Sequence, residues 1–315
     1  MEGNELRASA EELLALRALS EGLTDAIKAR VAAENRADRG TVANKVLADS
    51  IKDIARATED KYRELLRDEY ERVVPKRVKD WAAGIPGLAS GVLFPRLVGL
   101  VGNPRIATPY HWADSDGKRV LVADEPYIRG SNKAPNPMYG EDSQYHYGLR
   151  SFWRYCGCGD PADRPRSGST QADVLRGGKR TTVRPVLYTF SSYLVRNAKR
   201  SPAIADSKYL AIYQRERAAA EAKRHEKQCQ NSHRPPLGSN GCGTVAHPEW
   251  GAPGSPWRPG HCAAHAHRIV AKELLRDLYE VWPAPDEELV PAVSDEAKQH
   301  AAEFLERTAW SGVAS

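Results

Sequence analysis

Apolar residues recur at helical spacing through residues 5–80. Leu16, Leu19, Leu23, Ile27 and Val31 make one stripe, and Leu47, Ile51, Ile54, Thr58, Tyr62 and Leu65 make a second. Gly40-Thr41 interrupts the pattern, with Thr41 suited to cap the second helix. The spacing predicts two helices, arranged as an antiparallel hairpin or as a coiled coil that pairs with another chain. Val74-Pro75 predicts a break, because the residue before a proline is driven out of the helical region.

A charged helical stretch then runs from Tyr70 to Ala83, and an apolar one runs from Gly91 to Gly102. Between them lies Gly84-Ile85-Pro86-Gly87-Leu88-Ala89-Ser90, a tight-turn composition in which Gly87 is expected at positive φ. The N–H groups that open the following helix have no partner within it and suit an anion. This is how a helix-hairpin-helix grips a phosphate, so Gly84, Pro86, Gly87, Ala89 and Ser90 are candidate nucleic-acid contacts.

Prolines and glycines crowd residues 103–147, which read as an irregular insertion with a β-hairpin and a strand at Arg119-Val120-Leu121-Val122-Ala123. Helix resumes over 148–158, 183–195, 202–228 and 262–282, and Pro283-Ala284-Pro285 stops the last of these. A short helix capped by Ser294 is expected over 295–310. The fold class is therefore mainly α: a helical hairpin or coiled coil over 1–75, a helical domain with a helix-hairpin-helix over 76–282, and a C-terminal linker and short helix over 283–315. Irregular insertions occupy 107–147 and 229–260.

Charge sharpens this picture. The net charge is +5, yet the segment from Arg176 to Arg234 carries 14 Lys/Arg against 4 Asp/Glu. A basic block in an otherwise mildly acidic chain is the footprint of a polyanion partner. No apolar run approaches the length of a membrane span, and the acidic start of the chain lacks the apolar core of a signal peptide. Five cysteines, an odd number, fit a reducing cytoplasm better than a disulfide framework. Phosphate-binding and dinucleotide fingerprints are absent.

The 229–260 loop is too rich in proline to order itself by burial. Cys229, Cys242, Cys262 and His265, at spacings x12, x19 and x2, are candidate ligands for a structural zinc that would clip it. His233, His247, His261 and His267 compete with them.

Three segments, taken in order, resemble the C-terminal domain of the insertion-sequence 110/116/902 transposase family. The first runs from Gly84-Ile85-Pro86-Gly87-Leu88 to Leu100-Val101-Gly102-Asn103-Pro104-Arg105. The second is Phe152-Trp153-Arg154-Tyr155-Cys156-Gly157. The third joins Arg184-Pro185-Val186-Leu187-Tyr188, Ser201-Pro202, Tyr213 and Ala271-Lys272-Glu273-Leu274-Leu275-Arg276-Asp277-Leu278-Tyr279. The chain departs from the family at Ala89, where a glycine is usual, and about 80 helical residues stand where the family has its ribonuclease-H-like domain.

The resemblance implies a DNA-binding protein of DNA transposition and recombination, of mobile-element or phage origin. It would work with a separate nuclease subunit, or serve as a non-catalytic accessory protein. It places a nucleophilic serine at Ser167, with Ser169 next, inside a loop of arginines. Arg166, Arg176, Lys179, Arg180 and Arg184 would hold phosphates. Mg²⁺ would enter only with a partner's acidic site. The expected partners are DNA, structured RNA and a second copy of the chain through the N-terminal helices.

Overall fold

The computed structural model describes residues 10–39, 42–88, 91–107, 110–115, 118–123, 127–128, 148–159, 182–227, 229, 242 and 247–283. Among these the fold is mainly helical, and no helix is long and apolar enough to cross a membrane. The chain groups into two compact units. Unit 1 takes residues 1–84, 88–186 and 278–315, and unit 2 takes 85–87 and 187–277.

Unit 1 is built on α1 (Ala10–Arg39) and α2 (Val42–Val73). Their contacts run in opposite order along the two helices. Tyr62 lies over Gly22, Arg30 binds Glu59 at 2.5 Å, and Arg56 binds Glu34 at 3.1 Å. Arg63 also donates to Glu59, so this carboxylate, with its side chain 4% exposed, is gripped from two sides. A buried carboxylate without such partners would be strongly destabilising.

The buried faces match the apolar stripes of the sequence only in part, at Leu16 and Leu23 on α1. Leu16, Ser20, Leu23, Ala26 and Ala33 are buried on α1, while Val31 is 42% exposed. On α2, Glu59, Leu66, Tyr70 and Val73 are buried, while Leu47 and Ile54 are 64% and 67% exposed. Gly22 lets the Tyr62 ring approach α1 more closely than a leucine or isoleucine there would.

α3 (Lys76–Ala83) follows the break at Val74-Pro75, and α4 (Leu93–Val101) follows the glycine-proline turn. Phe94 of α4 takes Tyr70 and Trp81 edge-on at 5.9 and 5.7 Å. Gly99 meets α1 so closely that a Cβ there would stand 2.0 Å from Ser20 Oγ and 2.6 Å from the Leu16 carbonyl oxygen.

The expected β-hairpin is present. β2 (Tyr110–Ser115) and β3 (Lys118–Ala123) pair antiparallel, and outside them β1 (Ile106–Ala107) pairs with β4 (Tyr127–Ile128). The anticipated strand at 119–123 lies within β3. α5 (Leu149–Tyr155) ends at Cys156, and Gly157 leaves the helix at φ +72°.

The unit boundaries fall inside α6 (Val183–Asn197) and α9 (Pro259–Val281). Between these come α7 (Pro202–Ala205) and α8 (Lys208–Glu221). The single helix expected over 202–228 is thus two helices with an irregular tail. Ser207 starts α8 by accepting the Tyr209 N–H on its side chain. The unit 2 core joins Leu187, Phe190 and Leu194 of α6 with Tyr209, Leu210 and Tyr213 of α8 and Ala266, Val270 and Leu274 of α9. Tyr209 donates to the buried carboxylate of Asp277, which Lys208 also binds at 2.5 Å.

Candidate metal centre

After α8 the backbone returns on itself. Arg224 and Pro256 form an antiparallel bridge, His225 N–H donates to Ser255 O at 2.9 Å, and Gly254 N–H donates to His225 O at 2.7 Å. Trp257 N–H donates to Lys223 O, and Cys229 N–H donates to Gly251 O. Gly254 makes the return possible at φ +81°. These bonds hold 223–229 against 251–257, next to the first turn of α9.

Four potential ligands meet there. One ligand atom from each of His225, Cys229, Cys242 and His261 lies within 4.8 Å of all the others. The spacing is His-x3-Cys-x12-Cys-x18-His. Cys242 Sγ lies 3.1 Å from His261 Nδ1 and accepts the Arg258 N–H at 3.3 Å. The His261 ring stacks on Trp257, 4.1 Å between centroids and 3° from parallel, which fixes its plane.

The donor set fits a metal. Nε2 of His225 is buried and has no hydrogen-bond partner among the described residues, which is costly unless something accepts its lone pair or proton. Burial lowers the His225 pKa and so favours the neutral, ligating imidazole. Burial pushes the Cys242 thiol up to about 11, which a bound cation would reverse. Two thiolates and two imidazoles are a structural zinc donor set.

The structure brings Cys229 and Cys242 together as expected and corrects the other two positions. Cys262 is fully buried in the helical core and its thiol points to Trp257 O at 3.7 Å. His265 lies a turn further along α9, against Arg268 and Glu216. One residue earlier on α9, His261 faces the loop while Cys262 faces inward, as the roughly 100° step of a helix requires. His261 was among the competing ligands. His225 was missed, although its x3 spacing from Cys229 was a readable signal.

Other expected residues stand as follows. Gly84 is exposed, while Pro86 and Gly87 are half-buried. Gly87 has φ +87°, the positive φ its place in the turn demanded, and a Cβ on it would stand 2.6 Å from the Tyr193 ring. Arg184 is exposed on α6. Ala89, Ser90, Arg166, Ser167, Ser169, Arg176, Lys179 and Arg180 lie outside the described residues, as do His233 and the helix expected at 295–310.

Cations surround the centre. Lys223 lies over the Trp257 ring at 5.3 Å, and Arg258 lies over the Trp250 ring at 3.6 Å. Arg224 donates to Gly254 O, and Lys227 is exposed. Among the described residues none of the four forms an ion pair with a carboxylate, whereas Arg215 and Arg217 on α8 pair with Glu216 and Glu221.

A second polar pair, missed in the sequence, lies in the unit 2 core. Ser191 Oγ and His267 Nδ1 are 2.7 Å apart, with the His267 ring between Tyr188 and Tyr213. Both residues are buried, which suits core fixation more than contact with a substrate.

Compared with family models, curated proteins and solved structures, the chain matches none.

Proposed function

We propose that the protein binds nucleic acid through backbone phosphates, in DNA recombination of the transposase type, alongside a separate nuclease subunit. The observation that carries the reading is the group of Lys223, Arg224, Lys227 and Arg258, with no carboxylate partners among the described residues, along the hydrogen-bonded 223–257 ladder. Cations left unpaired on one feature are what a polyanion neutralises. The order of the three transposase-like segments supports recombination as the setting.

His225, Cys229, Cys242 and His261 would hold a structural zinc. When bound, it supplies a cross-link that fixes the cationic loop. The chain's own residues do the rest: the 223–257 ladder positions the cations, and Trp250 and Trp257 brace Arg258 and Lys223.

Among the described residues the one metal-ligand group is this Cys/His set, and no acidic trio accompanies it. Binding to duplex, four-way-junction and structured-RNA probes across a salt series tests the proposal. Affinity should fall steeply with salt. A salt-independent affinity, or none, would reject it. Strand transfer through Ser167 would leave a covalent protein–DNA adduct when nuclease and Mg²⁺ are added. Ser167→Ala should abolish that adduct without changing binding.

A further inference from the structure

The two long helices of unit 1 do not use up their apolar side chains in packing on each other. Glu59, Leu66, Tyr70 and Val73 of α2 are buried, and Tyr62 lies over Gly22 of α1. Elsewhere on α2, Val46, Leu47, Ile51, Ile54 and Leu65 are exposed. Six of the eight large apolar side chains left exposed among the described residues are on α1 and α2, and five of the six are on α2. Single exposed apolar residues are ordinary, whereas a row of them marks a contact surface.

The row has the spacing of a coiled-coil seam. Leu47, Ile51, Ile54, Thr58, Lys61 and Leu65 follow one another at alternating steps of four and three residues, and all six are exposed. The positions that flank such a seam, Ala48, Ser50, Ala55 and Ala57, are small and uncharged, which lets a second helix come close. The positions turned away from it, Asp49, Lys52, Asp53 and Arg56, are all charged. Three of these are already paired within the chain: Asp49 binds Lys52 at 2.7 Å, and Arg56 binds Glu34 of α1 at 3.1 Å. From Leu47 to Thr58 the seam and its flanks therefore hold eight residues and no charge.

We propose that this face of α2 pairs with the same face of a second copy of the chain, making a dimer. An uncharged seam disfavours any partner that would carry a charge into it, because burying an unpaired charge is costly. Outside the seam, Lys45, Lys52 and Arg56 stand against Asp49, Asp53 and Asp60, so the rim has no excess of either sign. That balance suits neither a nucleic acid nor an anionic membrane, which need an excess of cations. A second copy offers an uncharged seam of the same length with the same balanced rim, and a two-fold axis makes one such face complementary to itself. Lys61 ends the apolar part of the seam, and a charged residue at a seam position favours a single register. The face shares no residue with the Cys/His centre, so the dimer stands or falls separately from the proposed function.

The test is sedimentation of the full chain over a micromolar concentration series. Wild type should sediment as two chains and dissociate on dilution. Leu47→Glu/Ile54→Glu should sediment as one chain with wild-type helical circular dichroism, because both side chains stand in water in the single copy. Leu47→Ala/Ile54→Ala, which adds no charge and favours helix, should shift dissociation to at least about tenfold higher concentration. A wild type that stays one chain throughout the series would overturn the proposal. So would a Glu or Ala variant that dimerises as tightly as wild type, since the contact would then lie on another surface.

Discussion

Cys242 Sγ and His261 Nδ1 meet at 3.1 Å across 18 intervening residues, in the first turn of α9 and next to the paired segments 223–229 and 251–257. With their neighbours His225 and Cys229, they form a group that could hold a metal ion. The purified protein is expected to carry one zinc per chain by metal analysis. Cys242→Ser or His261→Ala should lose it, and His265→Ala should keep it. Zinc retained in His261→Ala but lost in His265→Ala would restore the Cys262/His265 assignment.

Gly99 is where α4 touches α1, and the close approach leaves no room for a methyl group. Gly99→Ala should destabilise the protein by about 1–3 kcal/mol in denaturant melts, as overpacking does. Adding Ser20→Ala should recover only part of this, because the Leu16 carbonyl oxygen remains 2.6 Å from the new Cβ. Full recovery would show that backbone crowding is not the cause.

Gly87 combines φ +87° with the Tyr193 ring against its open face. Gly87→Val should cost on the order of 1–3 kcal/mol from backbone strain, with an added clash against Tyr193. Tyr193→Ala would relieve the clash and leave the strain. A Gly87→Val variant as stable as wild type would show that the turn does not require glycine.

His267 gives unit 2 a pH dependence of definite sign. Burial, and then the nearby Arg217 charge, hold its pKa down to about 4. The groups facing it are Ser191 Oγ and the Tyr188 and Tyr213 rings. The unfolded imidazole titrates near 6.5, so the neutral native form contributes fully above that pH. This stability is lost as the pH falls from about 6.5 to about 4, by up to roughly 3 kcal/mol. Denaturation midpoints of His267→Gln should be flatter than wild type across that window. An identical slope would show that His267 does not set this pH dependence.

Much of this architecture was legible because breakers are local. Val74-Pro75 and Pro283 each end a helix by their own backbone chemistry. The buried faces of α1 and α2 were less legible, because the helices meet at Gly22 and Glu59 and neither has an apolar signal. Cys229 and Cys242 were readable as ligands. Their partners were not, because Cys262-x2-His265 looked like a knuckle while the 223–257 ladder that delivers His225 is a non-local pairing. Helical phase also separates His261 from Cys262, and that phase depends on where α9 begins.

We propose that Lys223, Arg224 and Lys227, beside the Cys/His cluster, present their cations to a phosphate backbone. The most direct test is the salt dependence of duplex binding by zinc-loaded wild type and Lys223→Gln/Arg224→Gln/Lys227→Gln, measured by fluorescence anisotropy. The variant should bind every sequence more weakly, and the slope of log affinity against log salt should flatten by about 3, one for each phosphate no longer neutralised. A folded, zinc-loaded variant with wild-type affinity and slope would contradict the claim.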